Sequence, residues 1–174
     1  MDFFYFLVTS LEQYTDKFGF HTYYFVENGA FTEAFFYSTG IGAVVAIAFY
    51  IGLCNGESVR PATRVNWLIC LLLVAFAAFF VGDIMIIGSE GNPGTGFYAS
   101  CQDFANNYMI QHRGNDQTIQ ECMGELNKIL KDLREGNDVA LMFNVVNVLL
   151  SILTYFLISI CVKNFTKHGS QIPF

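Results

Sequence analysis

The fold is decided by residues 67–88, WLICLLLVAFAAFFVGDIMIIG, in which Asp83 is the only charged residue. An apolar run of ~18–20 residues is long enough to cross the ~30 Å hydrocarbon core of a bilayer as a helix. Two further runs of comparable length, residues 35–53 and 139–162, contain no charged residue. These runs predict an all-α integral membrane protein with three transmembrane helices.

The overall composition supports the same class. Of the 174 residues, 53% are apolar and only 14% are charged, and the mean hydropathy is +0.41. Soluble globular domains carry about 25% charged residues. The net charge of −6 argues against nucleic acid as a partner, because binding to phosphates needs a clustered excess of Lys and Arg. The predicted partners are therefore the lipid bilayer and either further copies of the chain or other membrane subunits.

The segments outside the runs are too short for a second large domain, so we expect one membrane domain, residues 1–174. Within residues 1–34, Phe3, Leu7, Leu11 and Phe18 recur at helical spacing, which predicts an amphipathic N-terminal helix. The remaining segments are assigned as TM1 (35–53), TM2 (67–88), an extracytoplasmic loop (89–137), TM3 (139–162) and a cytoplasmic tail (163–174).

The positions of the cations predict the orientation in the membrane. Arg60 and Arg64 lie in the short loop after the first run, and Lys163 and Lys167 follow the third. Because Lys and Arg concentrate on the cytoplasmic side of a membrane, we expect the N-terminus outside and the C-terminus in the cytoplasm. The plasma or inner membrane is the expected location.

Two cysteines fall in the loop that is predicted to face outward. Cys101 and Cys122 would then lie in an oxidising compartment, which favours a disulfide. The alternative is that all five cysteines are small buried apolar residues. Between residues 119 and 133, apolar residues recur three and four apart, which predicts a second amphipathic helix. Together these features predict a disulfide-pinned helical loop.

Polar residues inside the runs mark the candidate site. Asp83 and Asn144 each lie about five residues from the outer end of their run, and Asn147 follows Asn144 by one helical turn. An intramembrane carboxylate is costly unless it faces other helices or water. We therefore expect a polar cluster of these three residues. It would act either as an interhelical hydrogen-bond clamp, which we favour, or as part of an ion or proton route.

The first run contains pairs of small residues four positions apart. These pairs are Gly42 with Ala46 and Ala48 with Gly52. Such pairs let two helices approach closely. The pattern predicts a helix-packing surface, either within the chain or between copies.

Nothing in the sequence indicates an enzyme. The chain has no CxxC, HExxH, GxSxG or glycine-rich phosphate loop, so no catalytic residue, metal site or cofactor is predicted. The aromatic content of 17% suggests contact surfaces with another subunit. Two functions remain open. One is a non-enzymatic subunit of an oligomeric membrane assembly, either a pore or the anchor of a larger envelope complex. The other is a supernumerary subunit of an energy-transducing or transport complex, with Asp83 near an ion or proton route.

Overall fold

The described part of the chain is helical and contains no strand. A computed structural model describes residues 17–54, 64–87, 96–111, 116–135 and 138–166. The helices are α1 (Phe20–Thr22), which continues as the π-helical turn Tyr23–Glu27; α2 (Ala30–Ile47), which continues as the π-helical turn Ala48–Leu53; α3 (Arg64–Ile87); α4 (Gly96–Gln111); α5 (Asp116–Arg134); and α6 (Asp138–Lys163). The amphipathic helix predicted near the N-terminus lies, as far as residue 16, outside these residues.

Among the described residues, three helices are long and apolar enough to cross a membrane, as the sequence predicts. Segments Ala30–Gly52 and Arg64–Ile86 have 23 residues each, and Asp138–Lys163 has 26. At ~1.5 Å per residue each is at least ~34 Å long, which is enough to cross the hydrocarbon core. All three are apolar enough to do so.

The helix that contains the first apolar run begins before that run, at Ala30. Gly29 has a φ of 78°, a conformation that glycine adopts without steric cost, and α2 starts directly after it at Ala30. Glu33 lies in the first turn of α2, where the positive end of the helix dipole favours an acidic side chain. In the sequence, Glu33 precedes the apolar run and limits it on the N-terminal side. The helix nevertheless includes Glu33 and extends back to Ala30.

The chain divides into two compact units. Unit 1 comprises residues 1–34 and 81–144, and unit 2 comprises residues 35–80 and 145–174. Unit 2 therefore contains most of the three spans. Its core is formed by Ala46, Phe49, Tyr50, Cys54, Trp67, Val74 and Tyr155.

Unit 1 is built around aromatic rings. The ring of Phe25, on the π-helical turn, lies 5.0 Å from Phe31 and 5.2 Å from Phe143, measured between centroids. Tyr24 contacts Phe97 at 5.2 Å, and its hydroxyl donates to the backbone oxygen of Met85. The aromatic residues that the sequence assigned to subunit contacts are, in this unit, largely part of the chain's own core.

Two helices follow the second span. The predicted helix is α5, in which Cys122, Leu126, Ile129 and Leu133 are buried. The sequence did not predict α4, whose first turns lie against the π-helical turn of unit 1 and which packs against α5. The buried residues Phe97, Cys101 and Ala105 are spaced four apart, and this spacing was the overlooked sign of a helix.

Candidate functional site

The structure reveals a row of buried polar side chains along α6 in unit 2. Asn147, Ser151, Tyr155 and Ser159 lie four residues apart, and each is at most 1% exposed. Side chains four apart form a ridge that runs obliquely across a helix surface. We call these four residues the α6 row. It places polar groups at regular intervals along the interior of unit 2.

A matching row lies on α2. Ser38, Gly42, Ala46, Tyr50 and Cys54 are also four apart, and all are buried. An α-helix has 3.6 residues per turn, so a four-residue row drifts around a straight helix by about 40° at each step. The π-helical turn Ala48–Leu53 holds more residues per turn and reduces this drift. Tyr50 and Cys54 therefore stay on the buried face with Gly42.

The two rows are in direct contact at Gly42. A Cβ atom at this position would overlap the Ser151 carbonyl oxygen and would lie 3.0 Å from the Tyr155 backbone nitrogen. The hydroxyl of Ser151 donates a hydrogen bond of 2.6 Å to the carbonyl oxygen of Ser38. Gly42 therefore lies against α6 of the same chain, and Ala46, one turn later, is buried.

The other predicted pair, Ala48 and Gly52, faces outward. Both residues are exposed, and a Cβ at Gly52 would meet no atom within 4 Å. Gly40 is exposed in the same way. The first span therefore has one small-residue surface that packs on α6 and another that is open.

At one end of unit 2, the rows meet α3 in a group of polar side chains that we call the Trp67 nest. The indole Nε1 of Trp67 donates to Ser159 Oγ at 3.4 Å, and the hydroxyl of Tyr155 donates to the Trp67 carbonyl oxygen at 3.3 Å. The Tyr50 hydroxyl lies beside Ser159 and Trp67. Tyr50, Tyr155 and Ser159 are fully buried. The sequence analysis missed the nest, although the four-residue spacing of its members was a visible signal.

The structure does not test the predicted cluster of Asp83, Asn144 and Asn147. Asp83 is partly buried. Asn144 is 3% exposed, and its Oδ1 accepts no hydrogen bond from the described groups. Asn147 is 1% exposed and belongs to unit 2, whereas the other two belong to unit 1. The cluster remains a prediction.

The predicted disulfide between Cys101 and Cys122 is not supported. Both side chains are buried, and no disulfide is formed. The Cys101 thiol instead donates to the Phe20 carbonyl oxygen at 3.6 Å. Burial raises the pKa of Cys122, so its thiolate, the reactive form, is disfavoured. The alternative interpretation, that these cysteines are small buried apolar residues, describes both positions.

An ion pair links α5 to the segment before α1. Lys17 Nζ lies 2.6 Å from Glu121 Oε2, and the Lys17 backbone nitrogen donates to Glu125 Oε1 at 2.7 Å. The hydrogen bond and charge of Lys17 lower the pKa of Glu121, and the same contacts raise the pKa of Lys17. Both side chains of the pair are well exposed, so the strength of this ion pair depends on the pH and on the salt concentration.

Comparison of the chain with known protein families, with curated proteins and with solved structures finds no match. The functional assignment consequently depends on the geometry of the spans and on their buried and exposed faces.

Proposed function

We propose that the chain is a non-enzymatic integral membrane subunit of an oligomeric assembly, either a pore or the membrane anchor of a larger envelope complex. One observation carries the proposal: the spans are mostly uncovered by the chain itself. Within the most apolar window of each, only 33%, 22% and 33% of the residues are buried. Lipid or another subunit must cover the remaining apolar surface.

The outward faces of the spans differ in kind. On α3 the exposed residues are large, and Leu72 and Phe76 are 69% and 71% exposed. Acyl chains cover such side chains as well as another helix does. The open face of α2 and its π-helical turn contains the small residues Ala48 and Gly52 beside large ones such as Val44 and Ile51. Small residues permit close approach of a second backbone, so the proposed contact between copies is this face of α2.

The size of the detergent-solubilised protein, expressed alone, tests the proposal by light scattering. We expect a homo-oligomer that dissociates when Ala48→Leu and Gly52→Leu enlarge the open face. Cys161→Leu is the matched control, because it enlarges a small exposed residue on α6 and should leave the size unchanged. A wild-type monomer, or an oligomer that is insensitive to all three changes, would contradict a self-associating subunit.

The second candidate is the supernumerary subunit with Asp83 near an ion or proton route. It is favoured by Asn144, whose buried Oδ1 is an acceptor without a described donor. A buried acceptor at membrane depth suits a cation or a water molecule. In this case the protein expressed alone would be monomeric or unstable.

The proposed orientation has its own test. With the N-terminus outside and the C-terminus in the cytoplasm of the plasma or inner membrane, a reporter fused after Phe174 should be active only if it functions in the cytoplasm. Activity of a reporter that requires export would reverse the orientation.

A further inference from the structure

The charged residues of unit 2 are collected at one end of its spans. Unit 2 contains four of the nine Lys and Arg residues of the chain but only one of its fifteen Asp and Glu residues. These five lie within residues 57–64, which lead into α3, or within residues 163–167, where α6 ends. Among the residues of unit 2 that the structure describes, Arg64 and Lys163 are cationic and none is an Asp or Glu. A chain with a net charge of −6 thus has one cationic end at the membrane boundary.

Packing between α3 and α6 brings the two described cations to the same level. Trp67, in the first turn of α3, donates to Ser159 near the end of α6, and its carbonyl oxygen accepts from Tyr155. Arg64 precedes Trp67 by three residues and Lys163 follows Ser159 by four, so each cation lies about one helical turn beyond this contact. Arg64 is exposed and Lys163 is half-buried. Both therefore lie where the spans leave the hydrocarbon core.

An exposed aromatic ring lies next to these cations. The end of α6 is closed by a turn, in which the Thr166 hydroxyl donates to the Lys163 carbonyl oxygen at 3.0 Å and the Phe165 backbone nitrogen donates to that of Val162 at 2.9 Å. Phe165 is 86% exposed on this turn. Large apolar side chains next to cations are typical of segments that lie at the boundary between headgroups and acyl chains. The surroundings of Lys163 therefore suit a lipid surface.

We propose that Arg64 and Lys163 together bind the phosphate of one anionic phospholipid headgroup. A guanidinium can donate two parallel hydrogen bonds to a phosphate, and an ammonium adds a compact positive charge. Basic sites between transmembrane helices bind lipid headgroups in this way. From the attraction of a single Lys or Arg to an anionic membrane surface, two cations should enrich an anionic lipid at the site by up to roughly 30-fold. The proposal rests on the membrane insertion of unit 2 that is proposed above, but not on self-association.

Trp67 can report on this site, because it is the only tryptophan of the chain and lies one turn from Arg64. The full chain is reconstituted in phosphatidylcholine vesicles that contain a small fraction of phosphatidylglycerol with bromine on its upper acyl chains. Bromine quenches indole fluorescence only at short range. In a parallel sample, the same fraction of brominated lipid is phosphatidylcholine. We expect stronger quenching by the phosphatidylglycerol, and equal quenching by the two lipids would overturn the proposal. Quenching by neither lipid would contradict membrane insertion itself, and the proposed function with it.

The double variant Arg64→Gln with Lys163→Gln identifies the groups that bind the headgroup. It should lose the preference for phosphatidylglycerol but keep the wild-type quenching by brominated phosphatidylcholine, which reports that unit 2 is still folded and inserted. Lys131→Gln is the matched control, because Lys131 is an exposed cation on α5 of unit 1, and it should retain the preference. A preference that survives the loss of Arg64 and Lys163 would refute this site.

A competition experiment distinguishes the lipid headgroup from free phosphate. Inorganic phosphate should weaken the preference for phosphatidylglycerol no more than sodium chloride does at the same ionic strength, since both act on the cations by screening alone. Loss of the preference in phosphate but not in chloride would assign the two cations to free phosphate and would refute the lipid site.

Discussion

Replacing Gly42 with leucine should separate α2 from α6. A Cβ alone would overlap the Ser151 carbonyl oxygen and lie 3.1 Å from Thr154 Cβ, so the larger side chain must push the helices apart. Overpacking of this kind costs about 1–3 kcal/mol. Loss of the Ser151 hydrogen bond to Ser38 adds roughly 0.6–1.7 kcal/mol. Leucine gains up to about 1 kcal/mol over glycine in helix propensity. The expected net loss is about 1–3 kcal/mol.

The assay is reversible unfolding in mixed micelles on addition of dodecyl sulfate. The fluorescence of Trp67, which belongs to the core of unit 2, monitors the unfolding. Gly40→Leu is the control. It is the same substitution on the same helix, but a Cβ there would meet nothing within 4 Å. We expect Gly40→Leu to be neutral or slightly stabilising. Equal unfolding free energies for the two variants would refute the close contact between α2 and α6.

Ser151→Ala separates the hydrogen bond from the packing. It removes only the donor to Ser38 and should cost roughly 1 kcal/mol. If Gly42→Leu already breaks this hydrogen bond, then the double variant should lose less stability than the sum of the two single changes. Strict additivity would show that the backbones remain close enough for the hydrogen bond when Gly42 is replaced.

Two further predictions concern charged groups. The Lys17–Glu121 contact should be present over a broad pH range and be lost at both extremes. Because the pKa of Glu121 is lowered, its contribution disappears as the pH falls below about 4.5. Because the pKa of Lys17 is raised, its contribution disappears as the pH rises above about 10.5. An NMR titration of the Lys17 side chain should show the acid transition in the wild type but not in Glu121→Gln; an identical acid transition in both would exclude Glu121 as its origin. Asp83→Asn should leave the unfolding free energy, oligomer size and ion flux into liposomes unchanged, because an amide keeps hydrogen-bonding capacity. A selective loss of flux with normal size would instead establish an ion or proton route.

The spans were predictable because their signal is simple. Crossing a bilayer requires about twenty apolar residues in one run. Such a run can be found by looking for a stretch of this length with almost no charged residues. The start of α2 at Ala30 was missed because Glu33 looked like an end of the membrane segment, although a carboxylate is favourable in the first turn of a helix. The helix α4 was missed because polar residues such as Gln102, Asn106 and Asn107 lie between the apolar residues of a four-residue spacing that begins at Phe97.

The polar groups that the structure brings together differ from those that the sequence singled out, since charge and paired cysteines were the signals sought there. Asp83 attracted attention as the one carboxylate in a span, whereas the buried contacts are made by hydroxyl groups such as those of Ser151 and Tyr155. A disulfide was inferred from the compartment alone. The distance between two thiols depends on which helix faces they occupy, and neither composition nor sequence separation reports this distance.

The buried contacts inside unit 1 differ in part from those inside unit 2. Between helices surrounded by lipid, burial of apolar side chains gives little net gain, because acyl chains solvate Leu and Phe as well as another helix does. The contacts of unit 2 that suit such surroundings are the close backbone approach at Gly42 and the hydrogen bonds from Ser151 and Trp67. In unit 1, Phe25 on the π-helical turn and Phe97 on α4 are fully buried, and burial of such rings away from water is favourable. Both units therefore bury rings, and unit 2 adds a close backbone contact at Gly42 and the hydroxyl hydrogen bond of Ser151.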